Sequence, residues 1–212
     1  MTRNRMYLAF TLVAASAALP ATPASAQTGP EQTEKFLKTV ETTVKAIGES
    51  RAQLQKAVAT YNSIIEMTAP DLKSAYRDLG RDITESEKKV ATGRPRVEEM
   101  NTAAAGYFAA RNAALQAITD ADLRKRSEER LNATYAQFEK ISAAGKDTRQ
   151  IFDNLMTDAK NQFTFLGHDL NASAIASLNP DAAKFNGRAA TVFAKVDGVT
   201  KMFDEYIASM RP

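Results

Sequence analysis

His168 is the only histidine in this chain, and there is no cysteine anywhere to assist it. An imidazole can hold a metal, move a proton or activate a nucleophile, so any such chemistry must converge on this one position. Its nearest acid is Asp169. Metal centres in four-helix proteins use several inward Glu and His side chains with Glu-x-x-His spacing, and that spacing is absent here. His168 also lies between Leu166 and Leu170, which share one apolar helical edge, so it points away from the core they would build. A haem pocket would need the ring to face inward, and covalent haem attachment needs cysteine. The methionines, such as Met100, Met156 and Met210, fall on apolar edges and read as core filler. His168 is thus expected to be a surface group near a helix C-terminus, where cationic character is favoured. No metal and no cofactor is expected.

Other chemistry is equally thin. Serines are present, but a single outward histidine supplies no base for them, and no Gly-rich phosphate loop, nucleophile elbow or pair of inward carboxylates occurs. The densest basic cluster is Arg124-Lys125-Arg126, which Glu128 and Glu129, within one turn, are expected to neutralise in part. Arg94 and Arg96 flank Pro95 in a similar way. Arg51, Arg111 and Arg149 sit where apolar residues are expected, so each must snorkel, pair with an acid or face a solvent-filled gap. The segment from His168 through Asn171 and Ser173 to Leu178 alternates small residues with Leu170, Ile175 and Leu178. Together with Arg124, Lys125 and Arg126, it is the candidate interaction surface.

The elements that position these residues follow from an apolar seam with alternating four- and three-residue steps: Leu72, Tyr76, Leu79, Ile83, Ser86, Val90, Gly93, Val97, Met100, Ala104, Tyr107, Arg111, Ala114, Ile118. Spacing near 3.5 keeps one stripe facing a partner helix, as in a coiled coil. A preceding helix carries Val40, Val44, Ile47, Arg51, Leu54, Val58, Tyr61 and Ile65. A third carries Leu131, Tyr135, Phe138, Ser142, Gly145, Arg149, Phe152, Met156, Ala159, Phe163, Leu166 and Leu170, continuing to Leu178 after a break at Asn171. The last carries Phe185, Ala189, Val192, Val196, Val199, Phe203, Tyr206 and Met210. Thr68-Ala69-Pro70-Asp71 and Thr119-Asp120-Ala121-Asp122 read as helix starts, and Asn179-Pro180-Asp181 as the cap of the last helix. Gly93-Arg94-Pro95 predicts a kink or restart in the second helix, and Gln27 to Gln32 a mobile lead-in.

Short connections make neighbouring helices antiparallel. The expected fold is all-α: an elongated antiparallel bundle, coiled-coil-like, with four helices at the Pro70 and Pro180 end tapering to a two-helix hairpin near Thr119. Apolar groups on adjacent faces suit the thick end, as in Ile64-Ile65, Phe163 with Phe165-Leu166, and Val192-Phe193. Ala103, Ala104, Ala109, Ala110, Ala113 and Ala114 suit a thin end that buries little area.

Arg3 and Arg5, the apolar run from Leu8 to Ala18 and the small-residue site Ala24-Ser25-Ala26 read as a secretory signal peptide over residues 1–26, cleaved near Ala26. The run is shorter than the roughly 20 residues needed to span a membrane. One elongated domain is then expected over residues 27–212, periplasmic or secreted, without disulfides. The formal net charge is +3. Losing Arg3 and Arg5 leaves 26 Lys and Arg against 25 Asp and Glu, a balance that does not favour nucleic acid.

Asp122-Leu-Arg-Lys-Arg-Ser-Glu-Glu-Arg-Leu131 and Phe165-Leu-Gly-His-Asp-Leu-Asn-Ala-Ser-Ala-Ile-Ala-Ser-Leu178 resemble the signature stretches of an exported bacterial coiled-coil family, domain of unknown function 2959. The resemblance covers most of the mature chain and implies an exported helical protein with no catalytic residues to carry over. It differs from lipoprotein-like members in lacking a lipid-attachment cysteine. The expected role is non-catalytic: a cell-envelope protein acting through helix-mediated contact with a protein partner or with itself. A periplasmic binding or holdase module, capturing a small ligand or unfolded chain near Arg51, Arg111 or Arg149, is the alternative.

Overall fold

A computed structural model of the chain describes residues 29–211. The signal-peptide reading of residues 1–26 and the cleavage site at Ala26 lie outside the described residues. Five helices account for the described fold: α1 Gly29–Ile65, α2 Leu72–Leu115, α3 Ala121–His168, α4 Ala172–Ser177 and α5 Asn179–Met210. No strand occurs among the described residues.

The helix ends show which side chains do the capping. Asp71 and Asp120, not the threonines before them, are the N-caps of α2 and α3. Their carboxylates accept from Lys73 N at 3.0 Å and from Asp122 N and Leu123 N at 3.0 and 2.8 Å. Charge makes a carboxylate the stronger acceptor at the positive end of a helix. Asn179 is no cap: α5 starts there behind Leu178, which makes no side-chain bond, with Pro180 in the first turn. The expected lead-in is also shorter, since α1 is already helical at Gly29 with Pro30 in its first turn. The buried Phe36 and Leu37 anchor that end.

α1 closes through Met67, the described chain's only non-glycine residue with positive φ, at 53°. Thr68 N–H donates to the Ser63 carbonyl at 3.0 Å, so Met67 occupies the left-handed position after the helix that glycine ordinarily takes. α2 runs through Pro95 without division.

α1, α2, α3 and α5 pack as an antiparallel ring, each against the next and α5 back against α1, while α4 lies across the end formed by α1 and α5. The interior divides into two cores. One holds Leu54, Tyr61, Ile64, Leu79, Ile83, Phe152, Leu155, Met156, Leu166 and the first half of α5, closed at the end by Ile175 and Leu178. The other holds Phe36, Leu37, Val40, Met100, Ala104, Phe108, Phe138, Ile141 and the second half of α5. At about 1.5–3 kcal/mol per large apolar side chain buried, these cores carry the fold.

The taper is present but short. Gly29 at the start of α1 lies against the Arg111 guanidinium, and Arg211 after α5 pairs with Glu34 and Glu41 on α1. Four helices therefore run together for most of the rod, and only the α2–α3 hairpin beyond about Arg111 stands alone. Where it emerges, five rings interlock. Phe36 stacks on Tyr107 at 5.0 Å and meets Phe108, Phe138 and Tyr206 edge-on. The alanines thus mark the narrow end less than these rings do. At the wide end Ile64, Leu166 and Val192 are buried, but Phe165 is 43% exposed, one position off the seam with no neighbouring helix to cover it.

Candidate functional site

The six predicted interaction residues fall at opposite ends of the rod. His168 is the exposed last residue of α3. Asn171 caps α4, its side-chain oxygen accepting from Ala174 N at 2.9 Å while its amide donates to the Asp169 carboxylate. Ser173 is exposed in the first turn of α4. This connector folds Ile175 and Leu178 inward over the first core, so its polar residues shape a lid on the bundle. Arg124, Lys125 and Arg126 lie in the first turns of α3, more than 40 residues away and thus roughly 60 Å along the helix. The structure does not bring the two groups together.

At the narrow end, among the described residues, no carboxylate stands within ion-pair distance of Arg124, Lys125 or Arg126. Glu128 and Glu129, expected to neutralise them in part, form no ion pair with them among the described residues. Here the base precedes the acid by four residues, the weaker order for a helical pair. The Asp120 carboxylate is engaged in capping. Leu123 beside the cluster is 50% exposed and Tyr135, further along α3, 47%. The tip therefore presents apolar surface next to unshared positive charge.

The seam arginines do not gather around a cavity. Arg51 forms a two-pronged pair with Asp197 on α5, at 2.6 and 2.9 Å, and lies over the Phe193 ring at 5.1 Å. Arg149 turns outward, 3.6 Å from Asp153 on its own helix. Arg111 rests on the start of α1.

Sequence reasoning missed Asp82, which is 1% exposed. Its carboxylate meets Lys56 Nζ at 2.9 Å and accepts from the Thr60 hydroxyl at 2.9 Å. Gln53 and Ser86 donate to its carbonyl. The available signal was its place one residue before the seam position Ile83, on the flank that faces α1. The cluster locks α2 to α1. Tyr61 and Tyr206 are buried phenols held above the ordinary tyrosine range, chiefly by burial, with Asp181 adding to the first and Tyr107 to the second. Neither exchanges protons near neutrality. Among the described residues no His, Asp and Glu side chains assemble into a metal-holding set, and no described helix is long and apolar enough to cross a membrane.

The segment Phe165 to Leu178 has a packing role that is visible at Gly167. Tyr76 and Phe163 stack at 4.4 Å and 6° between α2 and α3. The Tyr76 hydroxyl occupies the space a Cβ on Gly167 would need, and the Phe163 ring does the same at Gly80. The two glycines bracket the stack and let the helices approach.

A family model described as "Protein of unknown function (DUF2959)" matches residues 23–210. This chain belongs to that family. In this DUF2959 protein the match spans every described helix, so the family is defined by the whole bundle and not by a local motif. Neither the curated proteins nor the solved structures contain a match.

Proposed function

We propose that this DUF2959 protein is an exported, non-catalytic rod of the cell envelope that works by helix-mediated contact, with the α2–α3 tip as its docking element. The observation that carries the reading is the hairpin beyond Arg111, where Leu123 is half exposed beside Arg124, Lys125 and Arg126, none of which has an ion-pair partner among the described residues. A protein partner with an apolar groove and acidic rim, or a second copy of the chain, fits that surface. Export is supported by Arg3, Arg5, the Leu8–Ala18 run and Ala24-Ser25-Ala26. The ligand-capture alternative draws less support, because Arg51 spends its guanidinium on Asp197 and Phe193 and Arg149 faces outward.

A photo-cross-linking residue placed at Leu123 in intact cells, with Lys201 on α5 as the control site, tests the proposal. Adducts at Leu123 and not at Lys201 are expected, from protein whose N-terminus is Gln27. Equal adducts at both sites, or none at the tip, would overturn the docking assignment, and an unprocessed N-terminus would overturn export.

A further inference from the structure

We propose that the rod has a built-in hinge at mid-length, where the two cores meet. The first observation is a break in apolar burial on three helices at once. Between Val40 and Leu54 the only fully buried residue of α1 is Thr43. Between Ile83 and Met100 of α2 it is Ser86, and between Ile141 and Phe152 of α3 it is Thr148. All three are hydroxyl residues. Fully buried apolar side chains of these three helices therefore thin out across this zone, which is bridged by Ile47 of α1 and by Val196 and Val199 of α5.

The second observation is where the glycines fall. Gly93 packs against Ala46 and Ser50, which places it level with Gly48 on α1. Gly198 follows Asp197, which Arg51 binds, so it joins the same level on α5. Gly145 lies about one turn away on α3. A Cβ added at Gly48, Gly145 or Gly198 would meet nothing within 4 Å, so packing gives no reason for glycine there. What glycine does supply in a helix interior is a looser backbone.

The third observation is Pro95, within one turn of Gly93. It has no N–H to give the Ala91 carbonyl. Around it six consecutive residues, Arg94 to Glu99, are exposed in a helix that elsewhere places a buried or half-buried residue at least every four positions. α2 leaves this stretch open to solvent. Two polar contacts tie it to the bundle: Arg94 reaches Asp153 on α3 at 3.9 Å, and the Thr43 hydroxyl lies 3.0 Å from the Arg96 carbonyl and 2.9 Å from that of Thr39 on its own helix. The Thr43 hydroxyl can release the Arg96 carbonyl and keep that of Thr39, so bending here strands no hydroxyl.

These features place weakened backbone on all four long helices at the level where α1, α2 and α3 bury hydroxyl residues and α5 alone keeps an unbroken apolar edge. The two cored halves then move as separate bodies, letting the rod set the angle between its wide end and its tip. The test uses the full mature chain, whose lack of cysteine permits clean spin labelling. Labels at Lys38→Cys and Lys184→Cys sit in different halves, roughly 40 Å apart along the axis. Pulsed dipolar distance measurement is expected to show a broad distribution, at least halved in width by the combined substitutions Gly48→Ala, Gly145→Ala and Gly198→Ala. Gly106→Ala with Gly187→Ala, at sites equally open but outside the zone, is expected to leave the width unchanged. A narrow single distance in the parent chain would overturn the hinge. So would equal narrowing by the two sets of substitutions.

Discussion

Gly48 and Gly80 invite the same substitution and predict opposite results. Both lie inside long helices, where alanine is favoured over glycine by about 0.5–1 kcal/mol. At Gly48 nothing lies within 4 Å of the new Cβ, so Gly48→Ala keeps that gain. In a chain of this size it appears as a Tm rise of about 2–4 °C per kcal/mol. At Gly80 the new Cβ would stand 2.7 Å from Phe163 Cζ and 3.0 Å from Cε2. The ring cannot swing aside cheaply, because it is stacked on Tyr76 at 4.4 Å. Overpacking of this kind costs about 1–3 kcal/mol, which offsets the propensity gain, so Gly80→Ala should lose up to about 2.5 kcal/mol net. Urea unfolding reads both, as midpoint shifts in opposite directions at constant slope. Adding Phe163→Leu should remove the penalty at Gly80. A Gly80→Ala protein as stable as Gly48→Ala would refute the close approach of α2 and α3.

Three further outcomes follow from the same physics. Asp82→Ala removes a buried acceptor of the Thr60 hydroxyl and the partner of Lys56 and should cost about 2–3 kcal/mol in urea unfolding, while Asp82→Asn, which still accepts from Thr60, should cost about half. A loss below about 0.5 kcal/mol for the alanine variant would contradict the cluster. The folded chain holds the Tyr61 and Tyr206 phenols above their ordinary value of 10.0, so the unfolded chain releases those protons first. Their contribution is full below pH 10 and falls as pH rises beyond it, and absorbance titration should find both silent until alkaline unfolding. Met67→Gly relieves the φ of 53° and should stabilise the chain by up to about 1 kcal/mol, whereas destabilisation would show that the exposed Met67 side chain contributes packing.

The helical rod was legible because period and punctuation agree. Every α5 seam position from Phe185 to Tyr206 is buried, since that helix packs on two neighbours along its whole length. α2 was harder. Val97 fits the seam by spacing yet is 36% exposed, because the whole stretch from Arg94 to Glu99 lies open to solvent, which spacing alone does not record. Phe36 and Phe108 were overlooked. Their burial depends on four helices meeting just where α1 begins, which is a tertiary fact. Asp82 hid for a related reason: an acid beside a seam reads as solvated until Lys56 and Thr60 are seen to face it. Of the interaction residues, composition singled out Arg124 to Arg126 correctly as a charge cluster. It could not show that Glu128 and Glu129 stand too far to pair, or that Asn171 is occupied in capping α4.

Residue-resolved amide hydrogen exchange on the folded chain tests the account most directly. Two strongly protected blocks are expected in α1, α2 and α3, matching the two cores, with faster exchange around Thr43, Arg94 to Glu99 and Thr148 and the fastest of all in the hairpin from about Asn112 to Leu131. Uniform protection from end to end, or a tip as protected as the Phe36 ring cluster, would contradict a two-core rod with an uncovered tip.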